Sequence, residues 1–153
     1  MLQNNWGACL TVHQFQWPVR VYYEDTDSGG VVYYANYLKF MERARTEWLR
    51  SLDIEQDKLL ANEGIIFVVR AAHIEYLKSA RFNDTLDVSV VVVQCGRASI
   101  TFEQQVTRRV AEMPSPVLCC SGQVKIACVD GVTMRPCAIP PLILEKFSVG
   151  EVS

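Results

Sequence analysis

The chain is expected to fold as an α+β domain, a curled antiparallel sheet with one long helix as its filling. Three observations predict this. Apolar residues recur at helical spacing over 34–52; the hydrophobic period changes to two after Gly64; and four strand-like segments then follow in succession. One strand, one long helix and four more strands require that the helix lie against the sheet.

The first element, 15–23, reads as a strand with Pro18 near its start, where a missing N–H is tolerable at an edge or strand entry. The helix follows. Tyr34, Tyr37, Leu38, Met41, Trp48, Leu49 and Leu52 form its apolar stripe, while Lys39, Glu42, Arg43, Arg45, Glu47 and Arg50 read as a solvated face. A shorter helix over 55–62 ends at Gly64, a residue suited to the left-handed stop. Strands are expected over 65–77, 85–94, 98–110 and 116–129, separated by Phe82-Asn83-Asp84, Cys95-Gly96 and Met113-Pro114, with Asp130-Gly131 after the last. They read as an antiparallel meander. The third alternates cleanly, with Ile100, Phe102, Gln104 and Val106 on one face and Thr101, Glu103, Gln105 and Thr107 on the other. Pro136, Pro140 and Pro141 break the chain before a terminal helical turn over 142–147.

Length and composition bound the function. With 153 residues, 50% of them hydrophobic, one domain over 15–148 is expected between a leader, ordinary or disordered, over 1–14 and a tail over 149–153. A net charge of -2 argues against tracking a nucleic-acid backbone. The Val-rich run at 90–93 is far too short to span a membrane, and the first residues lack the basic and apolar regions of a secretory signal. Cys9, Cys95, Cys119, Cys120, Cys128 and Cys137 show no paired metal or redox spacing, so a reducing, cytoplasmic setting is expected. His13 and His73 have no ligand cluster beside them, and no metal or redox cofactor is expected.

The most informative segment is 22–37, YYEDTDSGGVVYYANY. It delivers Asp25 and Asp27 into a glycine-bearing loop just before a helix start, where free backbone N–H groups can hold a developing oxyanion. A carboxylate beside an oxyanion site points to acyl transfer. Asp27 either attacks a carbonyl or activates water, and on local grounds alone it also reads as a turn-forming residue before Ser-Gly-Gly. Glu24 and Asp25 stand close enough in sequence to influence it.

This segment, and the order of elements from about Trp17 to Phe147, resembles the 4-hydroxybenzoyl-CoA thioesterase type of hotdog protein, nearest the acyl-CoA thioesterases associated with the Tol-Pal envelope system. The resemblance implies hydrolysis of acyl-CoA, with Asp27 as base or nucleophile and the Tyr34 N–H polarising the carbonyl. It implies a homodimer or homotetramer with sites between subunits, while the sequence leaves open whether coenzyme A or acyl carrier protein is the thioester donor. Gly30 fits the tight turn and Tyr23 a pocket wall. Many relatives carry His at the position of Tyr34, and a phenol cannot serve as the neutral-pH acid or base that an imidazole can.

Arg70, Arg81 and Arg97 are candidate partners for the coenzyme A phosphates and Ser99 a hydrogen-bonding one, while Phe67, Val68 and Val69 are expected to shape the acyl or pantetheine wall. A related subclass uses a helix glutamate, which brings Glu42 and Glu47 into consideration, although their alternation with arginines reads as a solvated face. Two rival functions remain. A hotdog hydratase or dehydratase would call for a His-bearing loop, absent here; a non-catalytic acyl-CoA or acyl-carrier-protein binding module would bind without turnover.

Overall fold

The computed structural model describes residues 15–112 and 115–152, the last five by backbone alone. In chain order the elements are β1 (Phe15–Arg20), α1 (Asn36–Ser51), α2 (Gln56–Glu63), β2 (Ile65–Tyr76), β3 (Thr85–Cys95), β4 (Ser99–Arg108), β5 (Val117–Asp130) and α3 (Pro141–Val152). The strands form one antiparallel sheet in the order β1-β3-β4-β5-β2. This is the α+β hotdog arrangement. The leader over 1–14, Cys9 and the Met113-Pro114 turn lie outside the described residues.

The expected meander holds only for β3, β4 and β5. β2 does not pair with β3; it crosses to the far edge and pairs with β5, from Ile65 opposite Asp130 to Tyr76 opposite Cys120. Strand periodicity identifies which residues share a face but carries no information on which strand is the neighbour. The first strand also ends earlier than expected, at Arg20, because the chain tightens into a 3-10 turn at Tyr23–Asp25. The terminal helical turn is in fact a 12-residue helix, α3.

Helix α1 lies over β3, with β1 and β4 to either side. Phe40, Met41, Ala44, Trp48 and Leu49 face the sheet, where Ile100, Phe102, Val106, Val124 and Ile126 form the opposing layer. Burying large apolar groups of this kind stabilises by about 1.5–3 kcal/mol each. Trp48 meets Phe102 edge-on at 5.4 Å and stacks on Phe147 of α3 at 5.3 Å, so the last helix closes one end of the core.

The stripe differs from the expected one, with Asn36, Phe40 and Ala44 added to it. Leu38 and Tyr34 are exposed, and Arg45, expected on the solvated face, is buried. The reason lies across the sheet: Gln104, inward-facing as its alternation predicts, accepts a 2.9 Å hydrogen bond from Arg45 Nη1 and donates to the Met41 carbonyl at 3.1 Å. Two polar groups from different elements thus bond to each other inside the core.

Helix α2 ends at Gly64, whose φ of +71° is the left-handed conformation that closes the helix. The edge strand β2 is left open, exposed from Val69 to His73. Phe102→Ala, which removes a fully buried ring beneath Trp48, is expected to lower unfolding free energy by about 3–5 kcal/mol; urea denaturation measures it, and a loss below about 1 kcal/mol would contradict this packing.

Candidate active site

The loop between β1 and α1 is built by backbone hydrogen bonds that its sequence makes available. Thr26 bridges Val32, Asp27 N–H donates to the Val31 carbonyl at 2.9 Å, and Gly30 N–H donates to the Asp27 carbonyl at 3.0 Å. Residues 27–30 therefore form a tight turn. Gly30 carries a φ of +85°, a conformation that a side chain would strain. The Asp27 side chain folds back over the turn, its Oδ1 accepting from Gly29 N–H at 2.9 Å and, more weakly, from Val31 N–H at 3.4 Å.

Asp27 is thus a turn-forming residue, as its local sequence suggests, and still has chemistry to offer. Its Oδ2 makes no hydrogen bond among the described residues, and the side chain is exposed. Asp25 has a different task. Its carboxylate accepts from Tyr22 N–H at 2.8 Å, and its carbonyl accepts from Tyr33 N–H and Asn36 Nδ2, both at 2.9 Å. Asp25 therefore fixes the loop against the start of α1.

The free donors at this helix end are not the first helical N–H groups. Those of Asn36, Tyr37 and Leu38 are tied back to the carbonyls of Tyr33, Tyr34 and Ala35, tightening the first turn. The N–H groups of Tyr34 and Ala35, one step earlier, have no acceptor among the described residues. With the positive end of the α1 dipole behind them, they are the donors that can meet a developing oxyanion.

Asp27 and Tyr34 share a cleft of about 320 Å³ whose walls include Tyr33, Tyr37, Tyr76 and Lys78. Tyr37, Tyr76 and Lys78 were not picked out as site residues from the sequence. Tyr76 and Lys78 arrive from the end of β2 and the crossover that follows it, held to the loop by the Val31–Arg81 bridge and by Val32 N–H donating to the Ala80 carbonyl at 2.9 Å. No local pattern encodes that meeting. Tyr37 is buried, and desolvation raises its pKa, opposed by the hydrogen bond its oxygen accepts from Ala80 N–H. Tyr76 is raised chiefly by desolvation too, so both phenols stay protonated at neutral pH. Larger hollows of about 740 and 440 Å³ lie on the outer face of the sheet around His73, Glu103 and Gln123, away from this loop.

The remaining candidates are dispersed. Tyr23 stacks on Phe82 at 3.9 Å, outside the cleft walls. Phe67 and Val69 line a separate hollow with Arg45, while Val68 lies between them on β2. Arg70 sits at a bulge in β2, and Arg97 is exposed in the β3–β4 turn, its carbonyl accepting from Ile139 N–H, with Ser99 opening β4. Of the three phosphate candidates, Arg81 alone is bridged to the Asp27 loop. Glu47 pairs with Arg50 at 2.7 Å on the helix surface, in keeping with its structural reading.

Residues 21–147 match the family model described as the thioesterase-like superfamily. The chain belongs to that superfamily. It is 44% identical over 133 residues to the acyl-CoA thioesterase YbgC of Haemophilus influenzae, covering 87% of this chain and 93% of that protein. The acyl-CoA thioester hydrolase YbgC of Shigella flexneri is 42% identical over 133 residues, covering 87% of this chain and 95% of that one. Among solved structures, a 4-hydroxybenzoyl-CoA thioesterase variant complexed with 4-hydroxybenzoyl-CoA superposes with a TM-score of 0.82 over 88% of this chain and 99% of its own, at 16% identity, a likeness of fold.

Because this superfamily member holds its loop at the Gly30 turn, Gly30→Ala should lower stability by about 1 kcal/mol and disturb the turn that orients Asp27. Thermal denaturation checks the first effect and the amide spectrum of residues 26–32 the second; an unchanged melting temperature would mean that the turn relaxes without strain.

Proposed function

We infer that the protein hydrolyses acyl-CoA thioesters to a free carboxylic acid and coenzyme A. The observation that carries this reading is the pairing, in one cleft, of an exposed aspartate that has a spare oxygen with unbonded N–H groups ahead of a helix. The YbgC relatives, named as acyl-CoA thioesterases, support the choice of substrate class.

On this reading the thioester carbonyl oxygen accepts from the Tyr34 N–H, which stabilises the negative charge that develops on it during attack. Asp27 Oδ2 then acts in one of two ways. It either takes a proton from the water that attacks the carbonyl carbon, or attacks the carbon itself to form an anhydride that water later opens. In both, the carbon–sulfur bond breaks, coenzyme A leaves as the thiolate and is protonated, and water supplies the oxygen of the acid. The other Asp27 oxygen stays in the turn, so the attacking one is held in place at no further entropic cost.

The reading extends to assembly and setting. The exposed edge of β2 offers unpaired backbone groups to a second copy, which would bring its own side chains towards a cleft that is open in the single chain. A dimer or tetramer acting in the cytoplasm, on coenzyme A or acyl-carrier-protein thioesters, is the form we propose.

Asp27→Asn preserves the turn acceptor and removes the charge, so thiol release should fall by roughly two to four orders of magnitude with the fold retained. Near-normal turnover would sink the assignment of Asp27. Tyr34→Phe keeps the backbone N–H and should retain most of the activity; a collapse in rate at unchanged folding would transfer the role from the amide to the phenol.

A further inference from the structure

A small hollow, of about 90 Å³, lies between α1, the start of α2 and the edge strand β2. Leu49, Phe67, Val69, Phe102 and Ile126 make its apolar walls, and Glu42, Arg45, Thr46 and Gln56 its polar one. Arg45 is only 9% exposed. Its Nη1 donates to Gln104, but its Nε and Nη2 have no acceptor among the described residues, and no carboxylate forms an ion pair with it. A buried guanidinium ordinarily has partners for its donors. Among the described residues the enclosed side-chain atom without a partner is Arg108 Nε, so the two free Arg45 nitrogens open onto the hollow, where water can reach them.

The acceptor side is equally defined. Glu42 Oε2 accepts from the Thr46 hydroxyl at 2.8 Å, and Gln56 Nε2 donates to Thr46 Oγ1 at 3.3 Å, which leaves the other Glu42 oxygen unbonded. The hollow therefore presents strong donors and one strong acceptor in an otherwise apolar chamber. Its volume suits a small polar head rather than a phosphate ester or nucleotide, since a water takes about 30 Å³.

The hollow and the Asp27 cleft both take walls from α1 and β2. In the cleft Tyr34 meets Tyr76 of β2 at 5.8 Å; in the hollow, Arg45 faces Phe67 and Val69. A helical rise of ~1.5 Å per residue puts Arg45 roughly 16 Å along the axis of α1 from Tyr34. Leu38 of α1 and Val69 of β2 are exposed apolar side chains on these two elements, and Val69 also lines the hollow.

We propose that this hollow receives the far end of a long acyl chain carrying a terminal hydroxyl, whose oxygen accepts from Arg45 and whose hydrogen is donated to Glu42. The proposal rests on the thioesterase reading and adds the class of acyl group. A terminal methyl displaces water from the Arg45 donors without replacing its hydrogen bonds, and a terminal carboxylate, although it pairs with Arg45, meets the like charge of Glu42. A hydroxyl satisfies both groups.

The test is kcat/KM of the full chain for dodecanoyl-CoA, its ω-hydroxy counterpart and its ω-carboxy counterpart, followed by thiol release. The ω-hydroxy substrate should exceed the methyl-terminated one by at least about tenfold, as expected of a site built to hydrogen-bond its ligand. Arg45→Met should bring that ratio close to one, Arg45→Lys should keep part of it, and Glu42→Gln should improve the ω-carboxy substrate relative to the ω-hydroxy one. A role for Arg45 in folding alone would lower all three rates together and leave the ratios intact. Equal hydrolysis of all three substrates by the native protein would overturn the hollow as a hydroxyl site while sparing the thioesterase reading; no thiol release from any would overturn both. Should Arg45→Met fail to fold, the native ratios and Glu42→Gln decide the matter.

Discussion

Both backbone groups of Ala80 are committed, its N–H to the Tyr37 hydroxyl and its carbonyl to the Val32 N–H, and the residue is wholly buried. Through this one residue the crossover after β2 is joined to the start of α1 and to the Asp27 loop. The buried polar groups have little alternative, because an unmade hydrogen bond there costs about 1–3 kcal/mol. The position of the loop relative to the cleft walls therefore follows from where β2 ends. The catalytic proposal depends on this junction, since Asp27 and the Tyr34 amide come from the loop while Tyr76 and Lys78 come from the crossover.

The loop divides its two aspartates between structure and chemistry. Asp25 spends its carboxylate on Tyr22 N–H and its carbonyl on Tyr33 and Asn36, so it is consumed by positioning. Asp27 needs only Oδ1 for the turn. The same division appears at the helix start, where i to i−3 bonds occupy the first helical N–H groups and leave those of Tyr34 and Ala35 free. A thioesterase with no imidazole at that position can then rely on a fixed backbone dipole, which loses nothing to protonation changes across neutral pH.

The two polar features of α1 follow a related logic. Gln104 reaches from β4 to hold Arg45 in the core, and desolvation lowers the Arg45 pKa while Glu42 opposes that shift. Replacing a buried charge by a hydrophobic residue is often neutral or stabilising, and the hydroxyl site proposed above gives a guanidinium whose free donors open onto the hollow a task beyond packing.

By itself the sequence determined the class of fold and the composition of the loop. Helical spacing gave α1 to within two residues at its start, period-two alternation placed Ile100, Phe102, Gln104 and Val106 on one inward face, and Asp-Ser-Gly-Gly specified a tight turn before a helix. These are local properties, set by backbone preferences and side-chain period. Only the tertiary structure decided that β2 pairs with β5, that Arg45 is buried, that Tyr76 and Lys78 join the cleft, and that Arg97 stands apart from Asp27. Each depends on contacts between residues far apart in the chain, and neither periodicity nor propensity records which distant partner a strand edge or a buried charge will find.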